Sequence, residues 1–305
     1  MLFVLLCVVT LTFVLVDISP GGPFDRERKV PPSVEQHLLE KFNLNGSLWQ
    51  QYTTYLGVRK NAQGKYSGIL QGDLQISTKY RSRSVNELLA QTLPVTMELG
   101  LVAFIIATTA GVWLGCLAAV KRHTAIDTGA MLAALLAISI PSFVVGPLLI
   151  LIFCIHLRWL PAGGWQSWQC VVLPSIALAG PYIAYIARLM RTSMLEVLGQ
   201  DYIRTARAKG LTETRAVYKH ALKVAVLPVI SYLGPLAANL LTGSMVVETI
   251  FNIPGAGGFF VNSVQNKDSF LLGGVVMVYC VLLVVLNLIV DVAYTWLDRR
   301  IKLYE

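Results

Sequence analysis

Acidic residues within or beside the long apolar runs of this 305-residue chain include Glu98, Glu248 and Asp291. A carboxylate in hydrocarbon is costly, so such residues mark proton paths or pair with a partner. Each lies near the end of its run, within reach of the interface, and interfacial pairing is expected over a proton relay. Asn239 and Asn287 sit mid-run and are expected to bond between helices. The histidines, His37, His123, His156 and His220, are scattered and share no metal-ligand spacing. The cysteines, Cys7, Cys116, Cys154, Cys170 and Cys280, have no paired spacing and read as small apolar residues. Ser244 belongs to no serine–histidine motif, which leaves an intramembrane protease without support. No Gly-x-x-x-x-Gly-Lys-Ser/Thr loop is present to cradle nucleotide phosphates. Gly64-Lys65 lacks the first glycine, and Pro254-Gly-Ala-Gly-Gly258 lacks a lysine. No catalytic residue and no metal ligand is assigned.

Two patterns suit leverage rather than bond-making. The first is Asp201-Tyr-Ile-Arg-Thr-Ala-Arg-Ala-Lys-Gly210. Asp201 is a plausible N-cap for a short helix over 202–209, and Gly210 suits the left-handed residue that ends it. Thr212 can cap a second helix running through Lys223, and Ser193-Met-Leu-Glu196 has the form of a capping box where a helix starts or restarts. Arg204, Arg207 and Lys209 offer charge to a soluble partner, while Ala206 allows close approach. A solvated basic loop that only sets topology is the plainer reading. A DNA-binding helix-turn-helix is a poor one, because a loop pinned to a membrane can hardly enter a major groove. The second pattern is Glu248-x-x-Phe251-x-x-Pro254-Gly255-x-Gly257, where proline must stop a helix and the glycines allow the backbone to reverse.

These segments must be positioned by membrane helices. The chain is 55% hydrophobic and 14% charged, with a mean hydropathy of +0.62. Soluble domains carry about 25% charge. Apolar runs at about 2–18, 95–120, 129–155, 170–187, 228–250 and 271–297 approach the roughly 20 residues that cross a bilayer. Pro174, Gly180 and Pro181 interrupt the fourth. The net charge of +8 follows the positive-inside rule rather than a nucleic-acid partner. Arg188 to Lys223 holds eight basic residues against three acidic ones, and Lys121-Arg122 and Arg299-Arg300-Ile-Lys302 are basic too. Both termini are therefore expected in the cytoplasm. The ten basic residues between 19 and 94 count little, since loops beyond about 60 residues translocate regardless of charge. The expected organisation is a first transmembrane helix at 1–18, a periplasmic loop at 19–94, and a five-helix core at 95–305 with a cytoplasmic loop at 188–227. Within the outer loop, Pro20-Gly-Gly-Pro23 marks a turn, 35–42 a short helix, and 64–77 irregular chain. Trp159-Leu-Pro-Ala-Gly-Gly-Trp165 reads as a tight turn in the interfacial aromatic belt.

Ala206-x-x-x-Gly210 followed by Leu227-Pro228 resembles the loop by which permeases of ATP-binding-cassette importers engage a cleft on their ATPase. Arg204 and Thr205 stand where Glu-Ala is usual, and the lead from His220 to Pro228 is long. Both departures resemble the peptide and nickel branch. Glu248 to Gly257 is similar to the external gate turn of the same permeases. Ser19-Pro-Gly-Gly-Pro-Phe24, Ile140-Pro-Ser-Phe-Val-Val145, Leu160-Pro-Ala-Gly-Gly-Trp165 and Ile289-Val-Asp-Val-Ala-Tyr294 extend the resemblance over nearly the whole chain, to the B-type permease subunits of oligopeptide importers. Family members usually carry further residues, including arginines, before the first span, so a mis-assigned start or a natural truncation is expected here. The resemblance implies an all-α fold of six transmembrane helices, the type I importer permease fold, in the bacterial inner membrane. It implies a second homologous permease, two cytoplasmic ATPase subunits that bind ATP and magnesium, and an extracytoplasmic peptide-binding protein. Asp201, Arg204, Ala206, Arg207, Lys209 and Gly210 would couple to the ATPase; Glu248, Phe251, Pro254, Gly255 and Gly257 would form the gate turn. Dipeptides, glutathione, nickel or antimicrobial peptides compete as cargo, and a proton-driven secondary transporter is the rival mechanism.

Overall fold

The computed structural model describes residues 2–18, 40, 45–61, 64–80, 83–266 and 268–297. The turn expected at 20–23, all but Glu40 of the helix expected at 35–42, and the basic tail at 299–302 lie outside them. Regular structure among the described residues is helical, with two isolated antiparallel bridges, Lys60–Tyr66 and Ile76–Ser84, and no strand. The helices are α1 Leu2–Ile18, α2 Leu48–Leu56, α3 Val85–Val120, α4 Ala125–Ser139, α5 Ser142–His156, α6 Gln169–Leu198, α7 Asp201–Ala208, α8 Glu213–Ala225, α9 Leu227–Leu241, α10 Met245–Ile250, α11 Gly257–Gln265 and α12 Ser269–Leu297.

Three segments are long and apolar enough to cross a bilayer: α3, α6 and Phe270–Ile289 of α12. The bent pairs α4–α5 and α8–α9 raise the number to five if each is one span. The run expected at 129–155 is broken by 108°. Its cause is Pro141, whose ring pushes the preceding residue out of the helical region; Ile140 adopts φ −90°, ψ 119°. By contrast, α6 stays continuous through Pro174 and Pro181 and past Ser193. The expected restart at Ser193 does not occur, because Ser193, Met194 and Val197 are buried there as ordinary helix-face residues. The run expected at 228–250 divides between α9 and α10 at Gly243, where φ is 85°.

The chain forms two compact units, residues 1–94 with 255–281, and 95–254 with 282–305. In the first, Val9 of α1, Tyr55 of α2, Leu88 and Leu89 of α3 and Leu271 of α12 share one core. Phe13 packs on Tyr52 and Tyr55 at ring distances of 5.2 and 5.7 Å. Asp268, buried just ahead of α12, accepts from Leu271 N at 3.1 Å, from Lys79 N at 3.2 Å and from the Ser77 hydroxyl. It caps α12 and ties the 64–80 segment to it. That segment is irregular apart from a 3₁₀ turn at Ile69–Gln71.

The second unit packs α3, α6 and α9 around Leu99, Ala103, Ile186, Met190, Leu236 and Leu240. In lipid, burying such side chains gains little from the hydrophobic effect, so close packing between small residues must hold the helices together. Ala103 and Ala107 of α3 and Ala177 and Ala179 of α6 are almost fully buried and serve that purpose.

Candidate functional site

α7 turns one apolar residue inward and its charges outward. Ile203 is fully buried, in the same core as Val217 of α8. Arg204, Arg207 and Lys209 are exposed and Ala206 is half-buried. Gln200, with extended dihedrals, occupies the N-cap position, so Asp201 is the first helical residue and not the cap. Its carboxylate still lies in the first turn, where the helix dipole favours negative charge. At the other end Gly210 has φ 83°. The Gly210 N–H donates to Arg207 O at 2.9 Å, and the Leu211 N–H donates to Ala206 O at 3.3 Å. These are the two bonds of a Schellman motif. A Cβ built on Gly210 meets nothing within 4 Å. The glycine answers to its backbone conformation alone, and the space beside it is open.

Thr212 stands at the N-cap of α8, with extended dihedrals and no side-chain bond to the helix. Arg207 reaches across the Gly210 turn to Glu213: Nε to Oε2 is 2.9 Å and Nη2 to Oε1 is 2.7 Å. Both side chains are substantially exposed, at 39% and 57%. Such a screened pair contributes about 1 kcal/mol at most, and it bridges α7 and α8 across the turn. Arg204 approaches Asp201 only loosely, at 3.4 Å.

Another ion pair supports the helix that leads into this segment. Arg191 of α6 holds Asp127 of α4 with both forks, Nε to Oδ1 at 2.6 Å and Nη2 to Oδ2 at 2.7 Å. The His123 N–H adds a bond to Oδ2 at 3.1 Å. Asp127 precedes the apolar run of α4, and its residue exposure is 4%. The Arg191 hydrogen bonds, which outweigh the cost of burial, hold its carboxyl down to about 2. Neither residue belonged to a sequence motif.

The gate pattern folds as a capped short helix. Gly243 takes φ 85°, and Ser244 accepts from Val247 N at 3.4 Å as the N-cap of α10. Glu248 is almost fully buried, and its Oε1 accepts from the Thr96 hydroxyl of α3 at 2.9 Å. The partner of this carboxylate is thus a hydroxyl of a neighbouring helix. A Cβ on Gly243 would lie 2.3 Å from Thr96 Cγ2 and 2.7 Å from Glu248 Oε1, so only glycine fits. Phe251 is buried, and its carbonyl accepts from Gly164 N at 2.9 Å. A Cβ on Gly163 would sit 2.1 Å from that oxygen. The Trp159–Trp165 turn and the gate turn, separate in the sequence, are thus one packed feature. Pro254 ends this stretch; Gly255 and Gly257 fall in the other unit, where Gly257 opens α11.

The coupling and gate residues are not brought together: α9 lies between them, 15 residues or about 22 Å of helix. Sequence reasoning missed Ile203, Thr96, Asp127, Arg191 and the Gly163–Phe251 contact. Only the Arg207–Glu213 pair left a local signal, opposite charges flanking a glycine turn. Glu98 is exposed, and the side chain of Asp291 lies outside the described residues. Asn239, expected to bond between helices, has its side chain exposed with no bond to the described residues.

Residues 111–303 match the family described as the binding-protein-dependent transport system inner membrane component. The chain belongs to that family. This inner membrane component is 42% identical to the oligopeptide transport system permease protein OppB of Haemophilus influenzae, over 98% of this chain and 95% of that one. It is 43% identical to OppB of Escherichia coli K12, over 98% and 95%. It is 44% identical to the dipeptide transport system permease protein DppB of Bacillus subtilis, over 99% and 94%. Among solved structures, an inward-facing MetNI methionine ABC transporter superposes with a TM-score of 0.59 at 16% identity, covering 69% of this chain and 96% of that one. An amino acid ABC transporter gives 0.51 at 19% identity, covering 71% and 95%. The inner membrane component therefore has the all-helical fold of type I ABC importer permeases and is a multi-pass membrane protein.

Proposed function

We propose that this chain is the transmembrane permease subunit of an ATP-driven importer of oligopeptides. The observation that carries this reading is the near full-length likeness to oligopeptide permeases. It is joined by a closed, outward-charged helix, α7, whose exposed end is free to seat in a partner. In this reading the chain crosses the inner membrane six times, with both termini in the cytoplasm and residues 19–94 mostly outside. A second permease completes the conduit, two ATPase subunits bind ATP and magnesium, and an extracytoplasmic protein delivers peptide. Asp201, Arg204, Ala206, Arg207, Lys209 and Gly210 contact the ATPase, with Arg207 also tied to Glu213. Glu248, Phe251, Pro254, Gly255 and Gly257 shape the outer gate.

ATP-driven closure of the ATPases pushes on α7. Ile203 passes that push to the core, and the helices rock to alternate access. Reconstitution of the two permeases and two ATPase subunits with the binding protein tests this. Peptide accumulation should require ATP and survive a protonophore; accumulation that collapses with the protonophore and ignores ATP removes the proposal. Dipeptides are a second cargo, favoured by the 44% identity to a dipeptide permease. Competition between penta-alanine and dialanine separates the two.

A further inference from the structure

α9 presents the wrong face for lipid. At about 100° per residue, Pro228, Ser231, Tyr232, Pro235 and Asn239 fall on one arc of its surface. Pro228, Ser231, Pro235 and Asn239 are exposed and Tyr232 is half-exposed. Val229, Leu236 and Leu240, which lie roughly 100° round the helix from the centre of that arc, are buried. Elsewhere in the same unit the outward residues are largely apolar, Leu101, Ile105 and Trp113 on α3 and Leu283, Leu288 and Ile289 on α12, though Glu98 and Thr109 are exposed on α3 too.

Two tyrosines of α6 widen the polar arc. Tyr185 stacks on Tyr232 with ring centroids 4.4 Å apart, and Tyr182 lies one turn before it. The hydroxyls of Tyr182, Tyr185 and Tyr232 and the Asn239 carboxamide make no hydrogen bond to the described residues. Asn239 stands 12 residues beyond Leu227, about 18 Å along the helix. Asn239 is thus at the midpoint of the apolar run at 228–250, and an unbonded polar group in hydrocarbon costs several kcal/mol. An aromatic belt accounts for tyrosines at an interface, but it does not account for Asn239.

We infer that this face, Tyr182 and Tyr185 with Tyr232 and Asn239, lines the conduit and contacts the main chain of the cargo. The inference rests on the importer reading above. The four named residues carry neutral donors and acceptors of both kinds, and exposed Arg188 follows Tyr185 by one turn of α6. That suits a ligand offering amide N–H and C=O along its length whatever its side chains, as a peptide does. The hydroxyls and the carboxamide replace water around the peptide amides as it passes, and the aromatic rings give sequence-tolerant apolar contact.

The experiment uses the intact importer with its binding protein, in proteoliposomes, and radiolabelled penta-alanine. p-Azidophenylalanine is placed at position 232, a near-isosteric change, and at position 105 as a lipid-facing control. Irradiation during turnover should attach label to this chain from position 232 and not from 105. Asn239→Leu and Tyr232→Phe should raise the half-saturating peptide concentration roughly 3- to 10-fold each, the worth of one lost hydrogen bond. The inference is overturned if position 232 cross-links only to lipid or to the second permease, or if half-saturation is unchanged in both variants. Should the unmodified complex not accumulate penta-alanine at all, the importer reading fails first and takes this face with it.

Discussion

Valine at position 210 would place a β-branched side chain at φ 83°, at a local cost of about 1–2 kcal/mol. Because the space beside Gly210 is open, membrane insertion and assembly of the chain alone should be unaffected. Peptide uptake per ATP hydrolysed should fall at least several-fold; uptake equal to wild type would remove α7 from the coupling role. Arg207 and Glu213 call for a different test. Arg207→Ala should change the melting temperature of the chain little, as a screened pair allows. The exchange Arg207→Glu with Glu213→Arg should restore coupling that either single change lowers. Gly210 was legible in the sequence because a left-handed helix end has almost one residue solution. The Arg207–Glu213 pair was not foreseen, because Arg207 was read for its charge alone and not for the turn that brings Glu213 within its reach.

Larger effects belong to pairs of helices. Asp127→Asn leaves the Arg191 charge half-buried without its bidentate partner, which costs about 3 kcal/mol when one member of a buried pair is removed. The melting temperature of the purified chain should drop by several degrees, and replacing both residues with leucine should recover much of it. The folded carboxyl is held at about 2, below its ordinary 3.8, so the pair contributes fully at neutral pH. That contribution fades only as pH falls from about 4 toward 2. At the gate, Glu248→Gln keeps an acceptor for Thr96, whereas Glu248→Ala does not. Uptake should be lowered more by alanine than by glutamine, and an equal loss would mean the Thr96 bond is immaterial. Element positions were well marked by apolar runs, but breaks within them were not. Pro141 and Pro174 look alike in sequence; one bends the chain by 108°, and the other is absorbed because the surrounding core of α6 is filled by Leu173, Ala177 and Leu178. Tertiary packing decided between them, and no local pattern encodes it.

For the whole molecule, apolar composition and loop charge were enough to indicate a multi-pass membrane protein, and two motifs in order were enough to indicate its kind. What a single chain could not reveal was which helix faces lipid, because spans are apolar on every side until their neighbours are known. The brace between Arg207 and Glu213, with the Schellman closure at Gly210, is finished within one polypeptide. An ATPase docking on α7, as proposed, would therefore need almost no new backbone order there, and little conformational entropy would be lost at the moment of contact. Selectivity among ATPases would then rest on the side chains that α7 exposes, Arg204 and Lys209 among them, and not on the fold of the handle.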